Sequence, residues 1–272
     1  MKLHVIGCSG SFAGPHSPAS SYLLEHEDES GRCWRILLDI GSGAFGTLQG
    51  VLDPADLDAV LISHLHPDHF LDITGLEVFR AYHERTDLPV LPIWAPANLD
   101  ERLCAVMGRE STIPDGVNAC PFDYRAIRDG EPFEIGPLRF EPHLVRHPVE
   151  AYGFRITDGS SVFAYSGDTD ACDALDELAR GADLFLCEAG YIEGRDDRFE
   201  GIHLTGKRAG ESAAAAGVRH LALTHIPAWT DPAIPLAEAR GVFDGPITMV
   251  RGLDVLEVDP APSTSGSEGP TS

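Results

Sequence analysis

Short apolar runs recur along the whole chain, and each run ends in small or polar residues. Their length and their content of β-branched and aromatic residues predict buried strands. We expect these strands at residues 3–6, 34–38, 59–62, 138–140, 161–165, 183–186 and 220–223. Stretches rich in helix formers lie between them and predict helices at residues 72–84, 98–107, 171–180, 205–216 and 235–242. The alternation of strands and helices predicts an α/β fold.

Capping residues support the bounds of two of these helices. Asp170 and Thr205 are of the types that begin helices, and Gly181 and Gly217 are of the type that ends them. From Pro260 onward the sequence PAPSTSGSEGPTS has no large apolar residue, which predicts a disordered tail over residues 260–272. No linker-like segment precedes this tail, so we expect one folded domain over residues 1–259.

Charge and composition narrow the class of function. The chain has 20 Lys and Arg against 43 Asp and Glu, a formal net charge of −23, and an apolar fraction of 43% that is typical of globular proteins. This charge disfavours proteins that bind nucleic acids or membrane surfaces through general basic electrostatics. The six cysteines form no CxxC pair, so we expect free thiols in a reducing cytoplasm. No apolar run approaches the roughly 18 residues of a membrane span.

Three histidines and an aspartate follow the strand predicted at residues 59–62. The segment reads SHLHPDH and contains His64, His66, Asp68 and His69. Imidazole and carboxylate groups at this density suit Zn²⁺ or Mn²⁺. A loop leaving a strand end can turn alternate side chains toward one point and direct Asp68 and His69 toward a second point. The spacing therefore suggests two metal ions, and a solvated polar loop is the alternative.

Further ligands for a metal pair are expected at other strand ends, because open α/β sheets form sites outside the carboxyl ends of their strands. His147, Asp168 and His225 each follow a predicted extended segment. Taken singly, they could be a loop residue, a helix-capping turn and a buried core histidine. Their shared placement in a chain that already holds the cluster favours the ligand interpretation. His143 competes with His147, but it lies inside its extended segment and not at the end.

The order H-x-H-x-D-H followed by these three residues resembles the ligand set of the metallo-β-lactamase superfamily over nearly all of residues 1–259. The segments GCSGS, LDIGSG, CEA and HLT, which begin at residues 7, 38, 187 and 203, resemble its ribonuclease Z-like branch. Within that branch, GPHSPAS, YSGDT and LTHIP resemble the actinobacterial atypical class II cyclic-nucleotide phosphodiesterases. The resemblance implies a single-domain αββα sandwich with a dinuclear zinc site at its edge.

Carried over by position, the resemblance also implies how the ligands divide between two Zn²⁺ ions, with Mn²⁺ as the alternative metal. The first set is His64, His66 and His147, the second set is Asp68, His69 and His225, and Asp168 bridges them. Two ions about 3.5–4 Å apart can share a hydroxide that attacks a phosphoryl group. Asp68 is expected to orient this hydroxide.

Two further residues are expected to carry catalysis. His203 precedes Thr205, and the resemblance implies that it stabilises the phosphate or protonates the leaving oxygen. Glu188 is expected to position it, with a solvated strand-end carboxylate as the alternative; the branch's His-Glu-Ala-Thr tetrad reads Cys-Glu-Ala-Gly here. Asp39 follows a strand and is expected to accept the free N–H of a ligand histidine; the alternative, a turn-forming aspartate before Gly41, is compatible with this role.

We therefore predict a metal-dependent hydrolase that converts 3′,5′-cyclic AMP, and as a second substrate cyclic GMP, to the 5′-monophosphate. The alternative is a ribonuclease Z-type tRNA 3′-processing endonuclease. Short forms of that enzyme carry a projecting arm between the ligands matching His147 and Asp168, and residues 148–167 leave room for only one hairpin. Lactone or β-lactam hydrolysis would leave His203 unexplained. The expected partner is a small cyclic nucleotide, not a nucleic acid or a membrane, and a homodimer is left open.

Overall fold

Two β-sheets face each other in the computed structural model, which describes residues 1–85 and 87–260. In chain order the strands are β1 Lys2–Gly7, β2 Ser9–Gly10, β3 Ser21–Glu27, β4 Cys33–Leu38, β5 Ala59–Leu61, β6 Leu91–Ala95, β7 Phe122–Ala126, β8 Phe133–Ile135, β9 Leu138–Leu144, β10 Tyr152–Thr157, β11 Val162–Tyr165, β12 Leu184–Glu188, β13 Leu221–Thr224, β14 Ile226–Pro227, β15 Ile247–Met249 and β16 Val255–Glu257. The first sheet has the strand order β16-β1-β3-β4-β5-β6-β7, and the second has the order β15-β13-β12-β11-β10-β9-β8. A separate short parallel ladder joins β2 to β14.

Helices cover the outer face of each sheet. The main core lies between the sheets, where Ile36 and Leu61 of the first sheet and Phe154 and Phe163 of the second belong to one buried cluster. The helices are α1 Ala44–Leu48, α2 Pro67–Phe70, α3 Ile73–Tyr82, α4 Leu99–Met107, α5 Asp173–Ala179, α6 Gly206–Ala216 and α7 Ala233–Arg240. A second cluster packs α1, α3 and α4 on the first sheet, and a third packs α5, α6 and α7 on the second.

The predicted αββα sandwich is confirmed, because each sheet is buried on both faces. The alternation in β4 shows how: Ile36 and Leu38 face the other sheet, whereas Leu37 between them packs under the outer helices. Each side chain of a strand points to the face opposite its neighbour's, so an uninterrupted apolar run fills two cores at once.

The predicted helix caps are partly right. Thr205 accepts a hydrogen bond from the backbone N–H of Arg208 as the N-cap of α6, and Gly217 ends this helix in the left-handed conformation. The prediction for Asp170 is wrong, because Cys172 is the N-cap of α5. The Asp170 carboxylate instead accepts hydrogen bonds from the N–H groups of Ala171 and Gly201.

All six cysteines are free thiols in the structure, as expected. No helix of the described residues is both long enough and apolar enough to cross a bilayer. Apart from Pro260, the predicted tail over residues 260–272 lies outside the described residues.

Parallel pairing brings several strand ends to one edge of the sandwich. In the second sheet β11, β12 and β13 run parallel, and in the first sheet β4 and β5 do so. The two sheets are joined at this edge, where the N–H of Tyr152 donates to the carbonyl of Ser63 over 3.0 Å. Residues that directly follow these strands therefore meet at one place, although they come from both halves of the chain.

A candidate metal centre at the edge of the sandwich

The histidine-rich segment begins directly after β5 and continues into a short helix. His64 is fully buried and forms an isolated bridge with Ala151 of the other half of the chain. His66 is the N-cap of α2, and Pro67 occupies its first turn, where a missing N–H has no cost. Asp68 and His69 lie on this helix and not on the predicted loop. The helix turns their side chains away from His64 and His66 toward a second group.

The first group consists of ring nitrogens and one carboxylate. His66 Nδ1 lies 3.0 Å from His64 Nε2 and 3.0 Å from His147 Nε2. A carboxylate oxygen of Asp168, Oδ2, lies 3.7 Å from His64 Nε2. His147 Nδ1 donates to the carbonyl of Ile202 over 2.9 Å. Because a carbonyl can only accept, the neutral His147 ring directs the lone pair of Nε2 toward the other ring nitrogens.

The second group lies beside the first and shares Asp168 with it. His225 Nε2 is 3.1 Å from Asp68 Oδ2, 3.3 Å from Asp168 Oδ2 and 3.3 Å from His69 Nε2. His69 Nε2 is 3.1 Å from Asp168 Oδ1. His225 has a φ of 59°, a left-handed backbone conformation that is costly for a residue other than glycine and that directs its ring into the group.

The donor set fits divalent metal ions. Asp168 is almost completely buried, and its Oδ1 accepts no hydrogen bond although His69 Nε2 is close by. Imidazole nitrogens and carboxylate oxygens converge within 3.0–3.7 Å of one another, so their lone pairs can share a cation. Two sets of donor atoms, each within 4.8 Å of one another, are formed by His64, His66, His147 and Asp168 and by Asp68, His69, Asp168 and His225. The structure thus brings together all seven predicted ligands.

The protonation states agree with this donor chemistry. Burial, aided by neighbouring histidines, holds the pKa of His64 well below its usual range, and burial also lowers the pKa of His66 and of His147. Neutral imidazole is the form that binds metals. Burial raises the pKa of Asp168, but the His225, His69 and His64 rings outweigh it and hold this pKa well below its usual range.

Asp39 supports the second group from behind. Its Oδ2 lies 2.8 Å from His69 Nδ1 and accepts the hydroxyl of Tyr165 over 2.6 Å and that of Ser63 over 2.8 Å. The contact predicted between Asp39 and a ligand histidine is therefore present. Burial lowers the pKa of His69, but the carboxylates of Asp168 and Asp39 outweigh it and raise this pKa well above its usual range. The two carboxylates therefore favour positive charge at the position of His69.

Sequence reasoning did not identify Ser63 and Tyr165 as parts of this support. Ser63 stands directly before His64, and Tyr165 is the last residue of β11, the strand that Asp168 follows. Strand ends that carry ligands also carry the residues that orient them, and this position is the signal that could have found both.

His203 lies over the two groups, and Glu188 holds it there. Its ring centroid is 5.1 Å from that of His225 and 5.6 Å from that of His147. His203 Nδ1 is 2.9 Å from Glu188 Oε1, and the same carboxylate accepts the N–H of Thr169 over 2.7 Å and that of Gly190 over 3.1 Å. Glu188 is 1% exposed, so the alternative of a solvated strand-end carboxylate is wrong.

The charge around His203 favours its protonated form. Burial lowers the pKa of His203, but the carboxylates of Glu188, Asp168 and Asp68 outweigh burial and raise it to about 9. Because Nδ1 faces Glu188, Nε2 is the nitrogen left to meet a substrate. His143, the competitor of His147, is part of β9 and belongs to neither group of donors.

Comparisons with known proteins agree with this architecture. The family described as "Beta-lactamase superfamily domain" matches residues 34–226. The uncharacterized protein ML1173 of Mycobacterium leprae is 46% identical over 261 residues, which cover 95% of this chain and 89% of that protein. Ribonuclease Z of Streptomyces avermitilis is 27% identical over 298 residues, with 93% and 96% covered.

A solved structure extends the comparison. The probable metallo-hydrolase YhfI of Bacillus subtilis is 31% identical over 263 residues, which cover 94% of this chain and 100% of YhfI. Its crystal structure, described as a metallo-beta-lactamase fold protein, superposes with a TM-score of 0.81 at 28% identity and covers 94% of this chain and 99% of YhfI. The chain has the metallo-β-lactamase fold and is related to YhfI and to the ribonuclease Z-like proteins, which supports a hydrolase. It therefore belongs to the beta-lactamase superfamily.

Proposed function

We propose that the protein is a metal-dependent phosphodiesterase that hydrolyses 3′,5′-cyclic nucleotides, cyclic AMP in the first place and cyclic GMP as a second substrate, to 5′-monophosphates. The observation that carries this proposal is the short connection between His147 and Asp168. It consists of β10 and β11, paired as a hairpin from Phe154–Tyr165 to Thr157–Val162. The hairpin belongs to the second sheet, and no arm projects from residues 148–167, all of which the structure describes.

The seven donor residues would hold two divalent ions, Zn²⁺ or Mn²⁺. When bound, such ions act as Lewis acids toward phosphoryl oxygens and lower the pKa of water. The protein's own contribution is the rigid placement of the donors. Asp39 fixes His69, the carbonyl of Ile202 fixes His147, and Asp168 reaches both groups. Asp68, which belongs to the second group, is suited to orient the attacking water.

His203 supplies the proton in this proposal. Hydrolysis adds water at phosphorus and breaks the bond to the 3′ oxygen, which must take up a proton as it leaves. Glu188 accepts from Nδ1 of His203 and thereby presents Nε2 to the region above the two groups. A proton held on Nε2 can pass to the 3′ oxygen, which leaves the phosphate on the 5′ side. A positioned acid of this kind contributes roughly 10²–10⁴ to the rate.

The size and charge of the substrate also favour a small cyclic nucleotide. A cyclic phosphodiester can reach the edge of the sandwich without any extended protein surface. A tRNA needs contacts far from the cleavage point, and its many phosphates would meet a chain of net charge −23. The electrostatic penalty grows with the number of phosphates near the protein.

A tRNA 3′-processing endonuclease is the second candidate. The similarity to ribonuclease Z of Streptomyces avermitilis favours it. The same donor residues and His203 would serve either phosphodiester, so the metal centre does not separate the two functions. The separation lies in the surfaces that hold the substrate.

The test is a direct comparison of substrates at moderate salt. Purified protein, supplied with Zn²⁺ or Mn²⁺, is assayed with cyclic AMP, cyclic GMP, cyclic dinucleotides and precursor tRNA in parallel. We expect kcat/KM to be highest for cyclic AMP, with 5′-AMP as the product. Efficient processing of precursor tRNA without turnover of cyclic mononucleotides would contradict the proposal and favour the endonuclease. The Asp168→Ala variant is the control for a contaminating enzyme, because it should be inactive with every substrate.

A further inference from the structure

Two aromatic side chains form an exposed pair beside the metal centre. The ring centroids of Phe12 and Trp229 are 4.8 Å apart with an interplanar angle of 45°. Phe12 is 38% exposed and Trp229 is 67% exposed, the largest value among the exposed large apolar side chains of the described residues. Exposing this much aromatic surface is unfavourable unless a ligand or partner covers it. Neither residue contributes to the proton transfer or to the donor groups described above.

The backbone fixes this pair against His225. Phe12 follows β2 and Trp229 follows β14, and these two strands pair through Ser9–Ile226 and Gly10–Pro227. The N–H of Ser11, directly before Phe12, lies 3.4 Å from Nε2 of His225. Phe12 is therefore one residue from an atom that touches a predicted ligand.

Short-range turns hold the same two loops in place. The N–H of Phe12 donates to the carbonyl of Gly10 over 2.8 Å, and that of Thr230 donates to Pro227 over 2.8 Å. Ser11 has a φ of 64°, so this turn adopts a backbone conformation that is unusual for serine. The two loops also touch, since a Cβ built on Gly14 would lie 3.0 Å from Cβ of Ala228. An aromatic pair held this firmly can act as a preformed surface for a flat ligand.

We propose that Phe12 and Trp229 form a stacking platform for the nucleobase of the substrate. This inference rests on the proposed function, since the ligand it names is the base of a nucleotide whose phosphate lies at the metal centre. In a nucleoside cyclic phosphate the base lies several ångströms from phosphorus. Phe12 of the platform directly follows Ser11, whose N–H lies 3.4 Å from His225 Nε2, so the platform is next to the second donor group. Stacking needs a π-face and little else, so the platform selects for a base without strongly distinguishing adenine from guanine.

A second aromatic pair, which contacts His203, is less suited to this role. Tyr191 and Phe199 have ring centroids 5.8 Å apart, but the Tyr191 ring packs edge-on against His203 at 4.9 Å. Tyr191 is half-buried, and this perpendicular contact holds its ring against the histidine. Trp229 contacts no histidine ring at such a distance among the described aromatic pairs, which leaves its face free.

Tryptophan fluorescence gives a readout that does not depend on turnover. The chain has three tryptophans, of which Trp94 is buried against Phe133 and Trp34 lies under the guanidinium of Arg32. Titration of the full-length protein with 5′-AMP should quench the emission of Trp229, whereas ribose 5-phosphate, which lacks the base, should not. Trp229→Phe should abolish the quenching while it retains an aromatic surface. Equal quenching by both ligands, or unchanged quenching in Trp229→Phe, would overturn the platform.

Kinetic measurements with substrates that carry or lack the nucleobase provide the second test. Trp229→Ala and Phe12→Ala should lower kcat/KM for cyclic AMP by roughly 5- to 150-fold, the effect of losing a stacking partner. The same variants should leave kcat/KM for ribose 3′,5′-cyclic phosphate within about twofold. Trp229→Phe should restore most of the activity toward cyclic AMP. A parallel loss with both substrates would show a structural role and overturn the inference.

Two control variants test the position of the platform, and the combined outcomes separate this inference from the proposed function. Tyr82→Ala removes a ring that is 57% exposed elsewhere on the molecule and should change neither readout. Phe199→Ala tests the other aromatic pair, and base-dependent losses in that variant instead of Trp229→Ala would overturn the assignment. If the wild type hydrolyses no cyclic nucleotide but 5′-AMP still quenches Trp229 in a base-dependent way, the proposed function fails and the platform is supported. If hydrolysis occurs and Trp229→Ala has no base-dependent effect, only the platform fails.

Discussion

His203 is held by a single buried carboxylate that has several other partners. Glu188 accepts N–H groups from Thr169, Gly190 and Leu204 in addition to facing His203 Nδ1. A carboxylate held by this many donors cannot rotate, so it fixes the orientation of the His203 ring and keeps Nδ1 as the nitrogen that faces it. The role of His203 therefore depends on Nε2, and the histidine needs no metal contact of its own.

We expect His203→Ala to retain its metals and to slow turnover of cyclic AMP by roughly 10²–10⁴. The reason is that the leaving oxygen loses its proton donor while all seven donor residues are unchanged. The measurements are kcat for cyclic AMP and metal content by elemental analysis. Glu188→Gln should cause a smaller loss of kcat, and His143→Ala in β9 should behave like the wild type. Loss of metal from His203→Ala would identify this residue as a ligand and contradict the assignment.

Asp158 stabilises the tight turn between β10 and β11. Its Oδ1 accepts the N–H groups of Ser160 and Ser161 over 2.8 and 2.7 Å, and Oδ2 accepts the Ser161 hydroxyl over 3.0 Å. Partial burial raises the pKa of Asp158, but these hydrogen bonds outweigh burial and lower it to about 2. A carboxyl group whose pKa is lower in the folded than in the unfolded protein stabilises the fold above its unfolded pKa.

We therefore expect Asp158→Asn to lower the free energy of unfolding by about 1 kcal/mol at pH 6, after allowance for solvent screening. The difference from the wild type should shrink as the pH falls from about 4 toward 2, because the wild-type carboxylate becomes protonated in this range. Urea unfolding at a series of pH values measures the effect. Glu131→Gln, at an exposed position, should show no such dependence. A difference that stays constant from pH 6 to pH 2 would contradict the assignment.

The ladder of β2 and β14 connects the two ends of the chain at the metal centre. Gly10 of β2 lies so close to the loop of His225 that an added Cβ would be 2.3 Å from the His225 carbonyl oxygen and 2.9 Å from its Nδ1. Glycine is required here by the close approach of two backbones and not by a positive φ. The position of His225 thus depends on a residue far away in sequence.

Gly10→Ala is expected to displace His225, to lower the melting temperature and to reduce metal binding at the second group. Contact with a backbone carbonyl cannot be relieved by a rotamer change, so the ladder itself must move. Gly46→Ala is the matched control, because the residue is inside α1 and its added Cβ would meet no atom within 4 Å apart from its chain neighbours and the backbone of its own helix. This control should be neutral or slightly stabilising. Normal metal content in Gly10→Ala would contradict the role of the ladder.

How much could be predicted from the sequence differs between elements. Strands with continuous apolar runs, such as residues 36–38 of β4 and 184–187 of β12, are recognisable because both faces of the sheet are covered. β3 was missed, although it lies between β1 and β4, because its polar end pairs through Glu25 with Arg35 and His4. Such polar residues disguise a strand even though both of its partners, β1 and β4, are close to it in sequence.

The candidate site was likewise predictable only in part. The four donors of the segment after β5 are close in sequence and visible by spacing, and the others follow strands. Phe12 and Trp229 lie near opposite ends of the chain and meet only through the β2–β14 ladder. No local pattern predicts that meeting, because it depends on the topology of both sheets.

At the scale of the whole molecule, the metal centre joins the two sheets. His64, His66, Asp68 and His69 follow β5 of the first sheet, whereas His147, Asp168 and His225 follow strands of the second.

We expect two metal ions per chain, since seven donors exceed the three or four of a mononuclear zinc site. Asp168→Ala should lose both ions, because Asp168 belongs to both groups. Elemental analysis measures both values, and one ion after saturation would contradict the prediction.

Chelation should therefore loosen the contact between the sheets as well as abolish activity. Ligands that bind only the folded state add about 2.7 kcal/mol each when present at 100 times their dissociation constant, or about 5 kcal/mol for two ions. In a domain of this size this corresponds to a melting temperature about 10 °C higher. Scanning calorimetry with and without EDTA measures the shift, which Zn²⁺ should reverse. Asp168→Ala should melt at the same temperature with and without EDTA, while His143→Ala should respond like the wild type. A full response in Asp168→Ala would show that the metals bind without the carboxylate that faces both groups.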